Sequence, residues 1–212
     1  MQRVLWGRAS SVNVQKVLWG LHELGLPYRQ EIAGGKYGRT DTPEFAALNP
    51  NRRVPVLTEG DLALWESHAI LRYLAEDPQA MTRLTPESRD ARARMGQWLE
   101  YTTGTLQPPF IALFWQLVRL PHDKRDPATV AGHRENLHRA LGVLDSALQA
   151  QPWLAGESFS LADIAAGSLM HRITDLDLVP DGLTGLNRWL DTIRARPGYQ
   201  AHIATSYDEL KA

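Results

Sequence analysis

Two short stretches of this chain carry residue types that can bind and orient a ligand. The first is Asn49-Pro50-Asn51-Arg52-Arg53-Val54-Pro55-Val56-Leu57; the second, a little further on, is Trp65-Glu66-Ser67-His68. Val54-Pro55-Val56-Leu57 has the composition of a strand, yet Pro55 has no N–H to give to a ladder. A proline is therefore expected at the first residue, the edge or a bulge of a strand. A tight X–Pro step of this kind is also the usual setting of a cis peptide bond. Such a proline leaves the N–H and C=O of Val54 facing outwards, able to pair with an extended peptide laid along the edge. Glu66 supplies a carboxylate. Ser67 opens the apolar pattern Ala69-Ile70-Leu71-Arg72-Tyr73-Leu74, where the free N–H groups and dipole of a helix start attract an anion. An exposed backbone edge, a carboxylate and a helix N-terminus together suit a short zwitterionic peptide. Taken singly, Pro55 reads more readily as a tight start to a strand and Ser67 as an ordinary N-cap. Their joint occurrence favours the ligand.

The elements that must hold these residues alternate over residues 1–80. Val4-Leu5-Trp6 is strand-like. Val14, Val17, Leu18, Leu21 and Leu24 keep helical spacing, and Gly25 followed by Leu26-Pro27 ends that helix. Tyr28 to Ile32 reads as a second strand and Pro43 to Leu48 as a short helix. Val54 to Leu57 and Leu62-Ala63-Leu64 form a hairpin around Glu59-Gly60-Asp61. A helix from Ser67 to Glu76 completes a β-α-β-α-β-β-α order, a compact α/β domain. The Pro- and Thr-containing stretch from Asp77 to Pro86 reads as a linker. Residues 86–212 then read as an all-helical domain, with helices at Glu87 to Leu106, Pro109 to Leu120, Ala128 to Ala150, Leu161 to Asp175 and Leu186 to Arg196. Pro108-Pro109 is expected to break the helical run. Ser160-Leu161-Ala162-Asp163 is a capping signature, with Phe159 and Ile164 as its hydrophobic staple.

Composition removes several classes of function. The 212 residues carry a net charge of −1, which offers no long-range field for nucleic acid or an anionic membrane. No segment has the ~20 apolar residues of a membrane span, and Met1 to Gly7 lacks the apolar core of a signal peptide. A cytoplasmic protein is expected. The chain has no cysteine, so any thiol chemistry must use a thiol brought by the ligand. The seven histidines show no spacing that reads as a metal site. Gly34-Gly35-Lys36 lacks the rest of a phosphate loop, and there is no Gly-x-Ser-x-Gly elbow. The charges from Arg89 to Arg94 read as a solvated helix face or a dimer contact, and Glu100 as a residue able to reach a neighbouring subunit's ligand.

Arg53-Val54-Pro55 and Glu66-Ser67 resemble the glutathione-binding elements of the cytosolic glutathione S-transferases. Trp153 to Asp163 is similar to that family's helix-start motif in its second domain, and Asn187-Arg188-Trp189-Leu190 to Arg196-Pro197-Gly198 to its closing helix. The segments occur in the family's order over nearly the whole chain. The resemblance implies a thioredoxin-like α/β N-terminal domain, an all-α C-terminal domain and a homodimer. It implies further that Val54, next to cis-Pro55, pairs its backbone with the cysteinyl residue of glutathione. Glu66 then meets the γ-glutamyl ammonium and Ser67 its carboxylate. Arg53 takes a basic position near the glycyl end, where Lys36, Arg39 or Thr40 would assist.

The thiol of glutathione has a pKa near ~8.5, so little of it is thiolate at neutral pH. A hydrogen bond to a charged group is worth roughly 1.5–3 kcal/mol and one pKa unit ~1.36 kcal/mol. One hydroxyl therefore lowers the thiol pKa by about one to two units. Aligned on Val17, the stretch Gly7 to Val17 places Ser11 at the serine or threonine position of the theta-, delta- and nu-like classes, and Asn13 at the asparagine of nu-like members. Ser10 is the rival of Ser11, since one turn residue more or less exchanges them; Ser11 or Asn13 also reads as a simple cap. Phe110, Phe114 and Trp115 are the aromatic candidates for an electrophile wall, with packing as their other reading, and Tyr207 is placed to close over it. The function implied is conjugation of glutathione to small hydrophobic electrophiles without metal. Its rivals are a glutathione-dependent disulfide reductase or peroxidase, and a non-catalytic binding protein of the same fold.

Overall fold

In the computed structural model, which describes residues 2–212, the first strand β1 (Arg3–Trp6) leads into helix α1 (Val12–Leu24). There follow β2 (Arg29–Glu31), α2 (Pro43–Leu48), β3 (Val56–Glu59), β4 (Leu62–Trp65) and α3 (Ser67–Ala75). The β-α-β-α-β-β-α order is the one the periodicity predicts. The strands lie in the order β2-β1-β3-β4, with β1 parallel to β2 and antiparallel to β3, and β3 antiparallel to β4. Pro55 precedes β3 instead of opening it: the ladder begins at Val56, so the predicted strand from Val54 starts two residues late. The missing N–H of Pro55 explains the delay.

The register decides where the functional segments go. Trp6 is opposite Glu31 on one side and Val56 on the other, and Val56 is opposite Trp65. Gly7, Ile32, Pro55 and Glu66 are the next residues along their strands in the same direction. Four segments distant in sequence therefore leave the sheet at one end.

Helix α1 is held against the sheet side by close packing with α3. A Cβ on Gly20 would lie 2.3 Å from Leu71 Cδ2, so the small residue lets the two helices approach. Gly25 caps α1 in the left-handed conformation, with φ of 65°, as its sequence position predicts. The short helix α9 (Pro197–His202) belongs to this unit, which runs to Leu84 and takes in Pro197–Thr205. Tyr199 packs edge-on against Trp19 at 5.4 Å, and Gln15 Nε2 donates to Thr205 Oγ1 at 2.9 Å.

The second unit, Thr85–Arg196 with Ser206–Ala212, is helical. Its elements are α4 (Arg89–Tyr101), α5 (Gln107–Phe114), α6 (Pro127–Ala150), α7 (Leu161–Asp175) and α8 (Thr184–Arg194). Pro108 and Pro109 do not break the run. They sit in the first turn of α5, which follows α4 through one wide π turn at Thr102–Leu106, and a second wide turn occupies Trp115–Arg119. The wide turn displaces the usual i→i−4 bonding where the prolines have no N–H to give. Leu137, Leu141, Leu144 and Leu148, all fully buried, form the inner seam of α6. Each contributes roughly 1.5–3 kcal/mol of burial.

At the start of α7 the capping signature is present in full: Ser160 N–H and Oγ each donate to Asp163 Oδ2 at 3.0 Å. The other oxygen accepts from Leu154 N–H at 3.0 Å and Trp189 Nε1 at 2.9 Å. Burial pushes the Asp163 carboxyl up to about 6, against the pull of these donors. Its role is structural. Phe159 packs edge-on against Trp153 at 5.2 Å, with the Arg196 guanidinium 3.8 Å over its ring.

Candidate functional site

The sheet end where the segments beyond β1 and β2 meet the loop leading into β3 opens into a cleft of about 300 Å³, and Glu66 and Ser67 beyond β4 are not among its lining residues. Ser11, Asn13 and Val54 line one part of it; Arg8, Gly34 and Gly35 line another; Thr40, Arg52 and Arg53 form the rest. None of these residues is acidic.

Ser11 is the N-cap of α1, with φ −85° and ψ 121°, yet its side chain makes no capping hydrogen bond. Its backbone does the local work: the carbonyl accepts from Gln15 N–H at 2.8 Å and the N–H donates to the Arg8 carbonyl at 3.1 Å. The hydroxyl is half-buried and borders the cleft. Ser10 is buried and is not among the lining residues. Asn13, the second residue of α1, has a buried Oδ1 with no hydrogen-bond partner among the described residues.

Val54 and Pro55 are joined by a cis peptide bond. The N–H and C=O of Val54 enter no backbone hydrogen bond among the described residues, which leaves an open edge of one residue at the cleft. Gly7 makes this proximity feasible. A Cβ there would lie 2.4 Å from Val14 Cγ2 and 3.2 Å from Val54 Cβ, and its φ of 150° is one that side chains rarely adopt. Arg53 borders the cleft and is exposed, while its carbonyl accepts from Asn49 Nδ2 at 2.8 Å. Asn49 is buried and also accepts from Asn51 N–H at 2.9 Å, so it pins the whole loop. Sequence reasoning passed over Asn49; the Asn-Pro-Asn turn chemistry was the available signal.

Residues 10–77 match the family described as glutathione S-transferase, N-terminal domain, and residues 106–197 match glutathione S-transferase, C-terminal domain. The chain belongs to the glutathione S-transferase family. It is 36% identical over 195 residues to glutathione S-transferase GstB of Escherichia coli K12, covering 91% of this chain and 93% of that one. It is 33% identical to glutathione S-transferase 3 of Zea mays, over 94% of this chain and 92% of the other. A crystal structure of the theta class glutathione S-transferase from Xanthomonas axonopodis pv. citri with glutathione bound superimposes with a TM-score of 0.90. That likeness is at 39% identity and covers 96% of this chain and 98% of that one. The expected family and the α/β-plus-helical glutathione S-transferase fold are thus established.

In this family member Glu66 has a φ of 70°, a left-handed conformation that a non-glycine residue holds at a cost. It is the N-cap of α3, exposed, and its side chain makes no capping bond; Ser67, the first residue of the helix, is buried. Behind Glu66 lies a buried pair that the sequence reading missed. Lys16 is fully buried, and burial draws its ammonium down to about 7 while the Glu66 carboxylate pulls it back up. His68 is held down to about 3 by burial first, then by the charges of Lys16 and Arg72. The only signal for Lys16 was its place among Val14, Val17 and Leu18 on an apolar helix face.

Arg39 does not border the cleft. Its guanidinium donates to Glu31 Oε2 at 2.9 Å and to the Ile32 carbonyl at 3.2 Å, and lies 4.8 Å over the Trp6 ring. The bond from Arg39 is the main reason the Glu31 carboxyl is held below its usual range. Its neighbour Thr40 takes the lining position, and Arg8 and Arg52 join it from outside the sequence-based set.

In the helical unit, Phe110 and Phe114 are buried and pack on each other at 5.8 Å, with Tyr207 edge-on to Phe114 at 5.4 Å. Trp115 is 52% exposed, with the Arg119 guanidinium over its ring. Tyr207 is buried and its hydroxyl bonds Asp175. Among the described residues no helix is long and apolar enough to cross a membrane, and no group of three or more His, Asp and Glu is disposed to hold a metal ion.

Proposed function

We propose that this protein is a glutathione transferase in which Ser11 holds the sulfur of bound glutathione as a thiolate for attack on a small electrophile. The observation that carries the reading is the unspent hydroxyl of Ser11, an N-cap residue that makes no capping bond while bordering the same cleft as Val54. Val54 offers one N–H and one C=O to the cysteinyl residue, the two-bond pairing of an added strand. Glu66 meets the γ-glutamyl ammonium and Ser67 the γ-glutamyl carboxylate, at the N-terminus of α3, where the helix dipole favours an anion. Arg53, with Thr40 and Arg52 on the same rim, answers the glycyl carboxylate; the engagement of Arg39 with Glu31 speaks against a direct role for it. Asn13, which lines the same cleft, is a second donor to sulfur through its amide Nδ2. Trp115 is the best suited of the three aromatic candidates for an electrophile wall, because Phe110 and Phe114 are already committed to packing. The family resemblance supports a cytoplasmic homodimer.

Calorimetric titration with glutathione, combined with an ultraviolet scan of thiolate absorbance against pH, tests this reading. The expected result is saturable binding and a bound thiol that ionises about one to two units below the free value of ~8.5. Absence of binding at millimolar glutathione would reject it in favour of a non-catalytic protein.

A further inference from the structure

His22 and His202 are remote in sequence and neighbours in space. Their rings meet edge to face, with centroids 5.5 Å apart and planes at 72°. His22 sits in the last turn of α1 and is exposed; His202 ends α9 and is half-buried. Apart from this contact, neither ring has a hydrogen-bond or ion-pair partner among the described residues. Both backbones are fixed. The His22 carbonyl accepts from Gly25 N–H at 3.1 Å in the cap of α1. Beyond α9, Ile203 and Ala204 N–H both donate to the Tyr199 carbonyl, at 2.8 and 3.0 Å. Tyr199 packs on Trp19, less than one turn before His22, so a packed seam between two helices presents both histidines.

Imidazole is a common ligand of Zn²⁺, Cu²⁺ and Ni²⁺. Two imidazoles on one tetrahedral ion, each bonded at about 2.0–2.1 Å, have ring centres about 5 Å apart. The separation of 5.5 Å is a small side-chain rotation away from that arrangement. The surroundings favour a cation. Both residues lie at the carbonyl ends of their helices, where the dipole attracts positive charge. Glu23, next to His22, brings its carboxylate to the same seam: a Cβ on Gly198 would lie 3.0 Å from Glu23 Oε1. That oxygen accepts from Trp19 Nε1 at 2.8 Å, so Glu23 contributes charge rather than a third bond to an ion. Because the two rings are held together in advance, the second bond forms at high effective concentration, which a single surface histidine lacks.

We propose that His22 and His202 form a two-histidine site for a divalent transition-metal ion, with water completing its coordination, and that the ion ties α9 to α1. Ser11 caps the opposite end of α1, about 16 Å away at a rise of ~1.5 Å per residue, so the ion takes no part in the chemistry of the cleft. The inference is independent of the transferase reading. An ion that binds only when both helices are in place stabilises the folded state by mass action. It also stiffens Pro197–Thr205, the segment that returns to the first unit.

Ni²⁺ and Cu²⁺ are the probes, added to untagged protein without glutathione, which itself chelates them. Calorimetry should show one Ni²⁺ bound per chain with micromolar affinity, and no binding of Mg²⁺, a hard ion that prefers oxygen. In the wild type, substoichiometric Cu²⁺ should broaden the imidazole NMR signals of His22 and His202 before those of the other histidines, a readout that needs no variant to fold. His22→Asn and His202→Asn should each weaken Ni²⁺ binding roughly tenfold or more, at least what loss of a supporting residue costs a metal site. The double variant should bind scarcely more weakly than either, because one remaining imidazole no longer chelates. His122→Asn, which changes an exposed histidine of the second unit, should bind as the wild type does. Saturating Ni²⁺ should raise the Tm of the wild type and leave that of His22→Asn where it is. Broadening spread evenly over the histidines, no Ni²⁺ binding below millimolar concentration, or unchanged affinity in His22→Asn would each overturn the proposal, and none of these outcomes bears on glutathione binding.

Discussion

The Ser11 N–H donates to the Arg8 carbonyl at 3.1 Å, and this one bond closes the turn between β1 and α1. Because the backbone of Ser11 satisfies the turn and its carbonyl starts the helix, the side chain is left over. Ser10, one residue earlier, is turned into the protein and buried. The two serines are thus chemically alike and geometrically opposite.

That difference makes their variants distinguishable. Ser11→Ala should raise the pKa of bound glutathione by about one to two units, lowering the thiolate fraction at pH 7 roughly tenfold or more, with glutathione affinity little changed. Ser10→Ala should leave the thiol pKa where it is and act instead on stability. A thiolate absorbance titration of each variant with glutathione bound decides between them. An unchanged titration in Ser11→Ala would remove Ser11 from the mechanism.

Features governed by local rules were legible in the sequence: the cis bond at Val54–Pro55, the glycine cap at Gly25 and the box at Ser160–Asp163 each depend on a few adjacent residues. The α/β order was legible because period-2 and period-3.6 patterns alternate cleanly. Features set by tertiary context were not. Lys16 reads as a surface lysine until α3 is packed against α1. Arg39 reads as a free loop cation until Glu31 is brought to it. Pro108-Pro109 reads as a break because nothing in the local sequence announces a wide turn before it. The return of α9 to the first unit depends on Gly198, where a Cβ would lie 2.6 Å from Trp19 Cδ1, a contact between residues remote in sequence.

Asp163 is expected to be the costliest single polar residue to remove from the helical unit. Asp163→Ala leaves Leu154 N–H, Ser160 N–H and Trp189 Nε1 buried with no acceptor. Each orphaned donor costs ~1–3 kcal/mol and neighbours do not add fully, so a total loss of about 3–5 kcal/mol is expected. Asp163→Asn retains one acceptor oxygen and should recover part of it. Urea unfolding followed by circular dichroism measures both; a loss below about 1 kcal/mol in Asp163→Ala would contradict the hydrogen-bond account.

His68 should make the protein sensitive to acid in a defined window. Its folded-state value of about 3 lies below the ordinary 6.5, because burial and then the charges of Lys16 and Arg72 oppose protonation. Between these values the unfolded chain binds the extra proton and the folded one does not. The stability tied to neutral His68 is therefore complete above 6.5 and is lost as pH falls towards 3, at ~1.36 kcal/mol per pH unit. Lys16 does not mask this, because the depression of its own value to about 7 makes stability rise with pH only above that point. Unfolding free energies of the wild type and of His68→Asn, measured from neutral pH down to mildly acid pH, should converge as the pH falls. If the two lines stay parallel, His68 is not the group that titrates.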